Sequence, residues 1–188
     1  MTRANKSMNN FSPKYLVMGF LYIRPMHGYE LDKQLRLSLH EVWRIPQSQT
    51  YNILKNLEKE NLVSTTHQEQ EKRPDKDLLT LTSRGRAEFE NWLFTPTPGR
   101  AKAIRVEFIT RLFFAAHLSE SLPFQIIREQ VDAIRACILD LKTRFALTPV
   151  NEVFNHMGLE LRISQLEATL DWVEQSTKYF EENEINFQ

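Results

Sequence analysis

The sequence has few of the residues on which most enzymes, metalloproteins and secreted proteins depend. Its 188 residues include one cysteine, Cys137, so the chain can form no internal disulfide and has no cysteine cluster for a metal. Its five glycines form no phosphate-binding loop, and its five histidines show no metal-ligand spacing. We therefore predict no catalytic residue, no cofactor and no metal site, and we do not expect an enzyme.

The chain also lacks a long apolar run and a net charge. No segment is apolar over the roughly 20 residues that cross a bilayer, and the polar start lacks the apolar core of a secretory signal. We therefore predict a cytoplasmic protein with no membrane partner. The 24 basic and 24 acidic side chains cancel over the whole chain. Residues 1–100, however, contain 15 basic and 11 acidic side chains, and residues 101–188 contain 9 basic and 13 acidic ones. A basic half can bind nucleic acid although the whole molecule is neutral.

Residues 47–59 have the periodicity of a helix with one apolar and one polar face. Leu54 and Leu57 recur on the apolar face, and hydroxyl, amide and ammonium groups that suit phosphates and base edges gather opposite them. Thr50 lies on the apolar side, but it is included because the start of such a helix comes closest to the bases. From this helix, the predicted DNA contacts are Ser48, Gln49, Thr50, Tyr51, Asn52, Lys55 and Lys59. An ordinary solvent-facing helix is the alternative.

A β-ribbon with a basic tip is predicted directly after this helix. Asn61 can close the helix in a left-handed conformation, which asparagine tolerates better than most residues. Residues 63–69 and 78–82 are β-prone and flank a charged turn at 72–76. We predict that Arg73 and Lys76 of this turn contact DNA phosphates. The alternative is an exposed hairpin turn that carries charge only for solubility.

Three more predicted helices complete an N-terminal head and lead to a boundary. The apolar run 14–23 is too short for a membrane and predicts a buried first helix, and a second helix begins near His27. After the ribbon, a helix runs to about Leu93, where Thr95-Pro96-Thr97-Pro98-Gly99 ends it. We place one domain at 11–94 and a second at 99–183.

Six groups of residues carry a family resemblance, in order, through the N-terminal half. They are the 15–21 helix, His27-Gly28-Tyr29-Glu30-Leu31, Thr50-Tyr51 with Leu54 and Leu57, Glu60-Asn61-Leu62-Val63, Arg73-Pro74-Asp75-Lys76, and Leu81-Thr82 with Gly85-Arg86. In these groups the chain resembles the PadR family of transcriptional regulators. The second half, with Glu107, the 111–114 run and Leu170-Asp171-Trp172, is similar to the virulence-activator (AphA-like) branch. The chain departs from the family at Asn61, where glycine is usual, and at Leu79, where tyrosine is usual.

The resemblance implies a mainly α fold: an N-terminal winged helix-turn-helix with a two-stranded β wing, then a C-terminal α-helical, coiled-coil-like dimerisation domain. It also implies duplex operator DNA as the partner, with Tyr29 in the DNA-binding head, and a small aromatic effector in many members. Trp43, Trp92 and Trp172 are either core residues or part of a pocket for such an effector.

The C-terminal half has the spacing of associating helices. Apolar residues alternate in steps of four and three through 122–145 and again through 159–173, and the break near Pro149 predicts an antiparallel hairpin. Cys137 is predicted to be a small buried side chain of this hairpin. An intrachain three-helix core is one interpretation, and a dimer interface is the other. The predicted interface residues are Phe113, Phe114, Ile127, Val131, Ile134, Ile138, Leu141, Leu166, Leu170 and Val173.

Together these features predict a homodimeric regulator, a repressor that responds to an effector, on a pseudo-palindromic operator. Two heads related by a twofold axis would meet successive major grooves roughly 34 Å apart, so truncation near Pro98 is expected to abolish specific binding. Two alternatives remain, an activator of the same fold and a helical protein-interaction module that does not bind DNA.

Overall fold

The computed structural model describes residues 13–68 and 76–181 as a mainly helical protein with a small antiparallel sheet. The chain divides into two compact units between Trp92 and Leu93. The first unit contains α1 (Lys14–Ile23), β1 (Met26–His27), α2 (Gly28–Ser38), α3 (Gln47–Lys59), β2 (Val63–Gln68), β3 (Lys76–Leu81) and most of α4 (Ser83–Phe94). The second contains α5 (Ala101–Ala103), a π-helical segment (Ile104–Phe108), α6 (Ile109–Leu118), α7 (Leu122–Leu147), α8 (Val153–Gln175) and α9 (Lys178–Glu181).

Helix α1 forms the centre of the N-terminal unit, as its apolar run predicted. Every residue from Leu16 to Leu21 is buried, because α1 contacts α2, α3 and β3 on different sides. Helix α4 covers α1 as well, with the Tyr15 ring stacked on Trp92 at 4.8 Å between centroids. Lys14 donates to the Glu88 carboxylate at 2.6 Å, which ties the start of α1 to α4. Trp92 is thus a packing residue of this unit.

The predicted wing forms, and a short third strand extends its sheet. Strands β2 and β3 pair antiparallel from Val63 opposite Leu81 to Gln68 opposite Lys76. Strand β1 pairs with the other edge of β3, which gives the order β1-β3-β2. The predicted two-stranded wing is confirmed, and the sequence missed only the third strand of its sheet. A strand of two residues has no periodicity of its own to reveal it, because it exists only through its pairing with β3.

The link between α3 and β2 meets the start of α4 at one hydroxyl group. Asn61 has a φ of 56°, so it closes α3 in the left-handed conformation that the sequence predicted. The Thr82 hydroxyl donates to the Asn61 carbonyl at 2.8 Å and accepts from the Gly85 N–H at 3.0 Å, as an N-terminal cap of α4 does. Gly85 is buried there, and an added Cβ would lie 2.1 Å from the Leu62 carbonyl oxygen. Only glycine therefore allows so close an approach of the two backbones.

Helices α7 and α8 form an antiparallel hairpin, which the heptad spacing predicted. Arg135 forms an ion pair with Glu174 at 2.7 Å, and Lys142 forms one with Glu167 at 2.7 Å. Residue numbers therefore rise along α7 as they fall along α8, which makes the two helices antiparallel. Cys137 is half-buried near Gly99, whose added Cβ would lie 3.1 Å from the Cys137 sulfur.

Most of the residues predicted for a dimer interface lie in the interior of this single chain. Phe113 and Leu170 are half-buried. The others are buried, namely Phe114, Ile127, Val131, Ile134, Ile138, Leu141, Leu166 and Val173. A side chain that its own subunit covers has little area left for a partner, so this seam is intrachain core. Interdigitation of α7 and α8 explains the spacing that pointed to a dimer. The dimer itself stays a prediction, and its interface needs other residues.

A buried arginine holds the start of the C-terminal unit. Arg111 is 1% exposed and donates to the Leu93 carbonyl at 2.8 Å and to the Thr97 hydroxyl at 3.3 Å. Gln130 accepts from Arg111 at 3.2 Å and bonds both backbone groups of Thr97, at 2.7 and 2.8 Å. Burial disfavours the charged guanidinium and lowers the pKa of Arg111 to about 10. The side chain still carries its charge at neutral pH, so the hydrogen bonds to it are the stronger, charge-assisted kind.

His117 should make the stability of the protein depend on pH. Its half-buried ring donates from Nδ1 to the Phe113 carbonyl at 2.8 Å, and burial lowers its pKa below 6.5 although this backbone bond opposes the shift. The unfolded chain therefore binds a proton more readily, so the free energy of unfolding should fall as the pH drops below about 6.5. We expect His117→Gln to weaken this dependence in urea unfolding at several pH values. His40→Gln, at a ring 64% exposed, is the control, and an equal change in both variants would contradict the prediction.

Within residues 13–68 and 76–181, no helix is both long and apolar enough to cross a bilayer. Nor does this part of the chain bring three histidine, cysteine or carboxylate side chains together as a metal site would require.

Candidate nucleic-acid interface

Helix α3 buries one face and leaves the other free along its length. Leu54 and Leu57 point into the core of the N-terminal unit, at 5% and 1% exposure. The opposite side is exposed and consists of Gln47, Ser48, Gln49, Tyr51, Asn52, Lys55, Asn56, Glu58 and Lys59. Six of the seven α3 residues predicted to contact DNA therefore lie on one open surface, which we call the α3 face.

Thr50 does not belong to the α3 face. It is 1% exposed, and its hydroxyl is buried without a hydrogen-bond partner. The prediction that Thr50 contacts DNA is therefore wrong for this conformation. The apolar periodicity had already placed it beside Leu54 and Leu57, and its nearness to the helix start was the weaker signal. Asn56 was not among the predicted contacts, although it is exposed on the same side as Ser48 and Asn52. Its spacing of four residues from Asn52, and of eight from Ser48, could have identified it.

The start of α3 is suited to an anion. The helix follows Pro46 directly and has no acidic residue in its first turn, so nothing offsets the positive end of the helix dipole. From Gln47 to Leu57 the helix carries Lys55 and no carboxylate. The first carboxylate of α3, Glu58, accepts a hydrogen bond from the Thr65 hydroxyl on β2. This bond ties the helix to the wing strand.

Two tyrosines lie beside the start of α2. Tyr51 is 49% exposed, and an added Cβ on Gly28 would lie 3.5 Å from its ring, so the ring covers the first residue of α2. Tyr29 is 53% exposed and stacks on His27 with 6.0 Å between ring centroids. His27 is in turn tied to the wing, with Nδ1 3.0 Å from the Asp77 carbonyl oxygen. The predicted contacts Tyr29 and Tyr51 thus each have an apolar body against the protein and an open edge, as aromatic residues at interfaces often do.

The structure describes the two strands of the wing, β2 and β3. Lys76 is the first residue of β3, where it pairs with Gln68. Arg73 lies outside the described residues, as does the rest of the predicted basic tip from 72 to 75. Among described wing residues, His67 and Asp77 form a cross-strand hydrogen bond, with Nδ1 2.8 Å from Oδ1.

Comparison with known proteins identifies the class of this head. Residues 17–91 match the model of the transcriptional regulator PadR-like family. Residues 17–91 are therefore a PadR-like region of this chain. The match covers most of the α1-to-α4 region, including all of α3, and it confirms the resemblance seen in the sequence. The PadR-like family consists of transcriptional regulators, not of enzymes. The similarity to the AphA-like branch stays a prediction.

Two PadR-like relatives extend the comparison. The negative transcriptional regulator PadR of Bacillus subtilis is 26% identical over 129 residues, which are 69% of this chain and 70% of that protein. A probable transcriptional regulator of Mycobacterium tuberculosis is 35% identical over 81 residues, which are 41% of this chain and 43% of that protein.

Solved structures of similar proteins include PadR of B. subtilis in complex with operator DNA. That structure has a TM-score of 0.44 and 21% identity, with 89% of this chain and 98% of the other covered. A protein from Streptococcus mutans gives a TM-score of 0.45 and 22% identity, with 89% and 99% covered. PadR of B. subtilis has also been solved with p-coumaric acid, at a TM-score of 0.41 and 21% identity, with 90% and 98% covered.

Proposed function

We propose that this PadR-like regulator represses transcription in the cytoplasm by binding a pseudo-palindromic operator as a homodimer. The observation that carries the proposal is the α3 face, an exposed and carboxylate-free surface from Gln47 to Leu57 on a helix whose other side is locked into the core. A helix of this kind fits the major groove, where amide and hydroxyl groups read base edges. The B. subtilis relative is named a negative regulator and binds operator DNA, which supports the same role here.

We assign two kinds of contact to the α3 face. Ser48, Gln49 and Asn52 carry short polar side chains near the start of α3, and an asparagine can bond both polar atoms on the major-groove edge of adenine. Lys55 and Lys59 carry charges that suit phosphates, as do Arg73 and Lys76 of the wing. Tyr29 and Tyr51 sit at the border of the face, where their hydroxyl groups suit the sugar-phosphate backbone.

Substitutions on α3 should separate these two roles. We expect Lys55→Ala to weaken binding to specific and random duplexes alike and to lower the salt slope by about one, because one phosphate contact is lost. Asn52→Ala should instead remove about 1–3 kcal/mol of preference at one base pair. Fluorescence titration of the promoter region upstream of its own gene, at several salt concentrations, measures both effects.

Arg128→Ala is the control for charge, because Arg128 is an exposed cation on α7 of the C-terminal unit. It should leave the DNA affinity unchanged. If Asn52→Ala weakened specific and random binding equally, Asn52 would not read a base. If the unaltered protein bound its promoter region no better than random DNA, the proposed function would fail.

The homodimer is proposed from apolar side chains that a single chain leaves open. Val150 and Phe154 are 89% and 87% exposed at the turn of the α7–α8 hairpin, and Leu147, Met157 and Leu161 continue the patch at 59% or more. We call these five residues the tip stripe. Exposed apolar area of this kind marks an association surface, and a second copy of this chain is the partner that a twofold operator requires.

We further propose that a small aromatic effector releases the regulator from DNA. The support is the B. subtilis relative, which has been solved with p-coumaric acid. An effector of this kind has to bind the DNA-competent and the released form with different affinities.

A further inference from the structure

Three carboxamide side chains form one row on the α3 face. They are Gln49, Asn52 and Asn56, and steps of three and four residues place them next to one another along the same side of a helix. All three are exposed. Asn56 is the member that the sequence did not include among the DNA contacts. We call these three residues the amide row.

The polar groups of the amide row are not used within the protein. The side chains of Gln49, Asn52 and Asn56 form no hydrogen bond in the part of the chain that the structure describes, residues 13–68 and 76–181. The Gln130 carboxamide, by contrast, bonds both backbone groups of Thr97. Each carboxamide of the row therefore offers a donor and an acceptor to a partner outside the protein.

A carboxamide matches the edge of adenine better than that of guanine. In the major groove adenine presents one acceptor, N7, beside one donor, the N6 amino group, and a carboxamide can bond both at once. Guanine presents two acceptors there, so a carboxamide oxygen would face the guanine O6 with no hydrogen between them. Arginine and lysine are the side chains that read guanine. Helix α3 contains no arginine, and its lysines, Lys55 and Lys59, are the proposed phosphate contacts.

The length of the amide row fits a short run of base pairs. A helix rises about 1.5 Å per residue, so the row covers roughly 10 Å from Gln49 to Asn56. Successive base pairs are about 3.4 Å apart along the duplex. When α3 lies along the major groove, the row therefore spans about three base-pair steps, and its members meet different base pairs.

We propose that the amide row reads adenine, so that each operator half-site presents adenines at more than one position within about four consecutive base pairs. The inference rests on the proposed function, for which it names the bases that the α3 face prefers. It adds Asn56 as a specificity-determining residue. Exchange of a contacted adenine for guanine removes the donor that the carboxamide oxygen needs, so this exchange should weaken binding.

Selection from a library of random duplexes by the full-length protein, followed by sequencing, gives the preferred half-site. We expect it to contain such adenines, and we expect replacement of one A·T pair by G·C to weaken binding about tenfold. At the same positions 7-deazaadenine lacks the N7 acceptor and should also weaken binding. The matched control is 3-deazaadenine, which changes only the minor-groove edge and should bind as adenine does.

The variant Asn56→Ala tests the new residue. It should remove the preference for A·T over G·C at one position of the half-site and leave the affinity for random duplexes unchanged, because a neutral side chain is lost and no phosphate contact goes with it. Gln165→Ala is the matched control, since Gln165 is an exposed carboxamide on α8 of the C-terminal unit. It should keep every base preference.

The outcomes distinguish this inference from the proposed function. If no sequence is enriched from the library, the proposed function fails, and the inference fails with it. If a half-site is enriched but Asn56→Ala keeps the preference at every position, the regulator stands and Asn56 does not read a base. Equal binding of 7-deazaadenine and adenine also overturns the inference alone. Sensitivity to 3-deazaadenine instead would assign the A·T preference to the minor groove, which contradicts reading by the amide row.

Discussion

Replacing Phe154 by Asp and Leu161 by Glu in one variant is expected to give a monomer that has lost operator affinity by about 1000-fold or more. Both residues belong to the tip stripe, at 87% and 59% exposure, so the chain itself should fold normally. A carboxylate on each copy would have to be buried without a partner in the proposed interface, which disfavours association. A single head forms about half of the contacts, and each 1.4 kcal/mol lost is a factor of ten in affinity.

Sedimentation and operator titration of the same samples check this result. The conservative variant with Phe154→Leu and Leu161→Met keeps apolar side chains at both positions and should stay dimeric with its affinity intact. A charged variant that sediments as a monomer yet binds the operator as tightly as the original protein would refute the need for a dimer. A charged variant that remains dimeric would show that the tip stripe is not the interface.

Gly85→Ala should strongly destabilise the N-terminal unit. The added Cβ would lie 2.1 Å from the Leu62 carbonyl oxygen and 3.0 Å from Leu81 Cδ2, and the first of these atoms is backbone that cannot rotate away. Helix α4 would have to shift from the end of α3, which breaks the Thr82 cap as well. Overpacking of this kind costs about 3 kcal/mol or more.

Urea unfolding measures this loss, and Gly158→Ala is its control in the same protein. Gly158 lies within α8, and an added Cβ there would meet nothing within 4 Å. Alanine is the better helix former, so Gly158→Ala should raise the free energy of unfolding by about 0.5–1 kcal/mol. Equal small effects at both glycines would show that α4 moves easily and that the Leu62 contact is not rigid.

Local patterns predicted most of the head because its elements have strong periodicity. The buried run of α1 and the apolar face of α3 at Leu54 and Leu57 are both visible in the sequence alone, as is the left-handed end at Asn61. Nearness to the start of a helix was a less reliable guide, since it added Thr50 to the DNA contacts although the apolar spacing had placed this residue beside Leu54 and Leu57. Strand β1 was not predictable, because two residues become a strand only when β3 lies beside them.

In the C-terminal unit the sequence predicted the α7–α8 hairpin, but it did not show whether the apolar seam packs within one chain or against a second subunit. Heptad spacing is the same whether the second helix belongs to the same chain or to a partner, so Ile134 and Leu166 could not reveal which one covers them. The burial of Arg111 was equally hidden. Its partners Thr97 and Gln130 lie on other segments, and only the folded chain brings their oxygens to one guanidinium.

The Thr82 hydroxyl joins the link between α3 and β2 to the start of α4, and Glu58 of α3 bonds Thr65 of β2 a few residues away. Because these bonds connect α3 to the wing, the two elements should approach a duplex as one rigid unit with a fixed spacing between them. Operator variants that widen or narrow the groove would then be penalised even where every contacted base is retained.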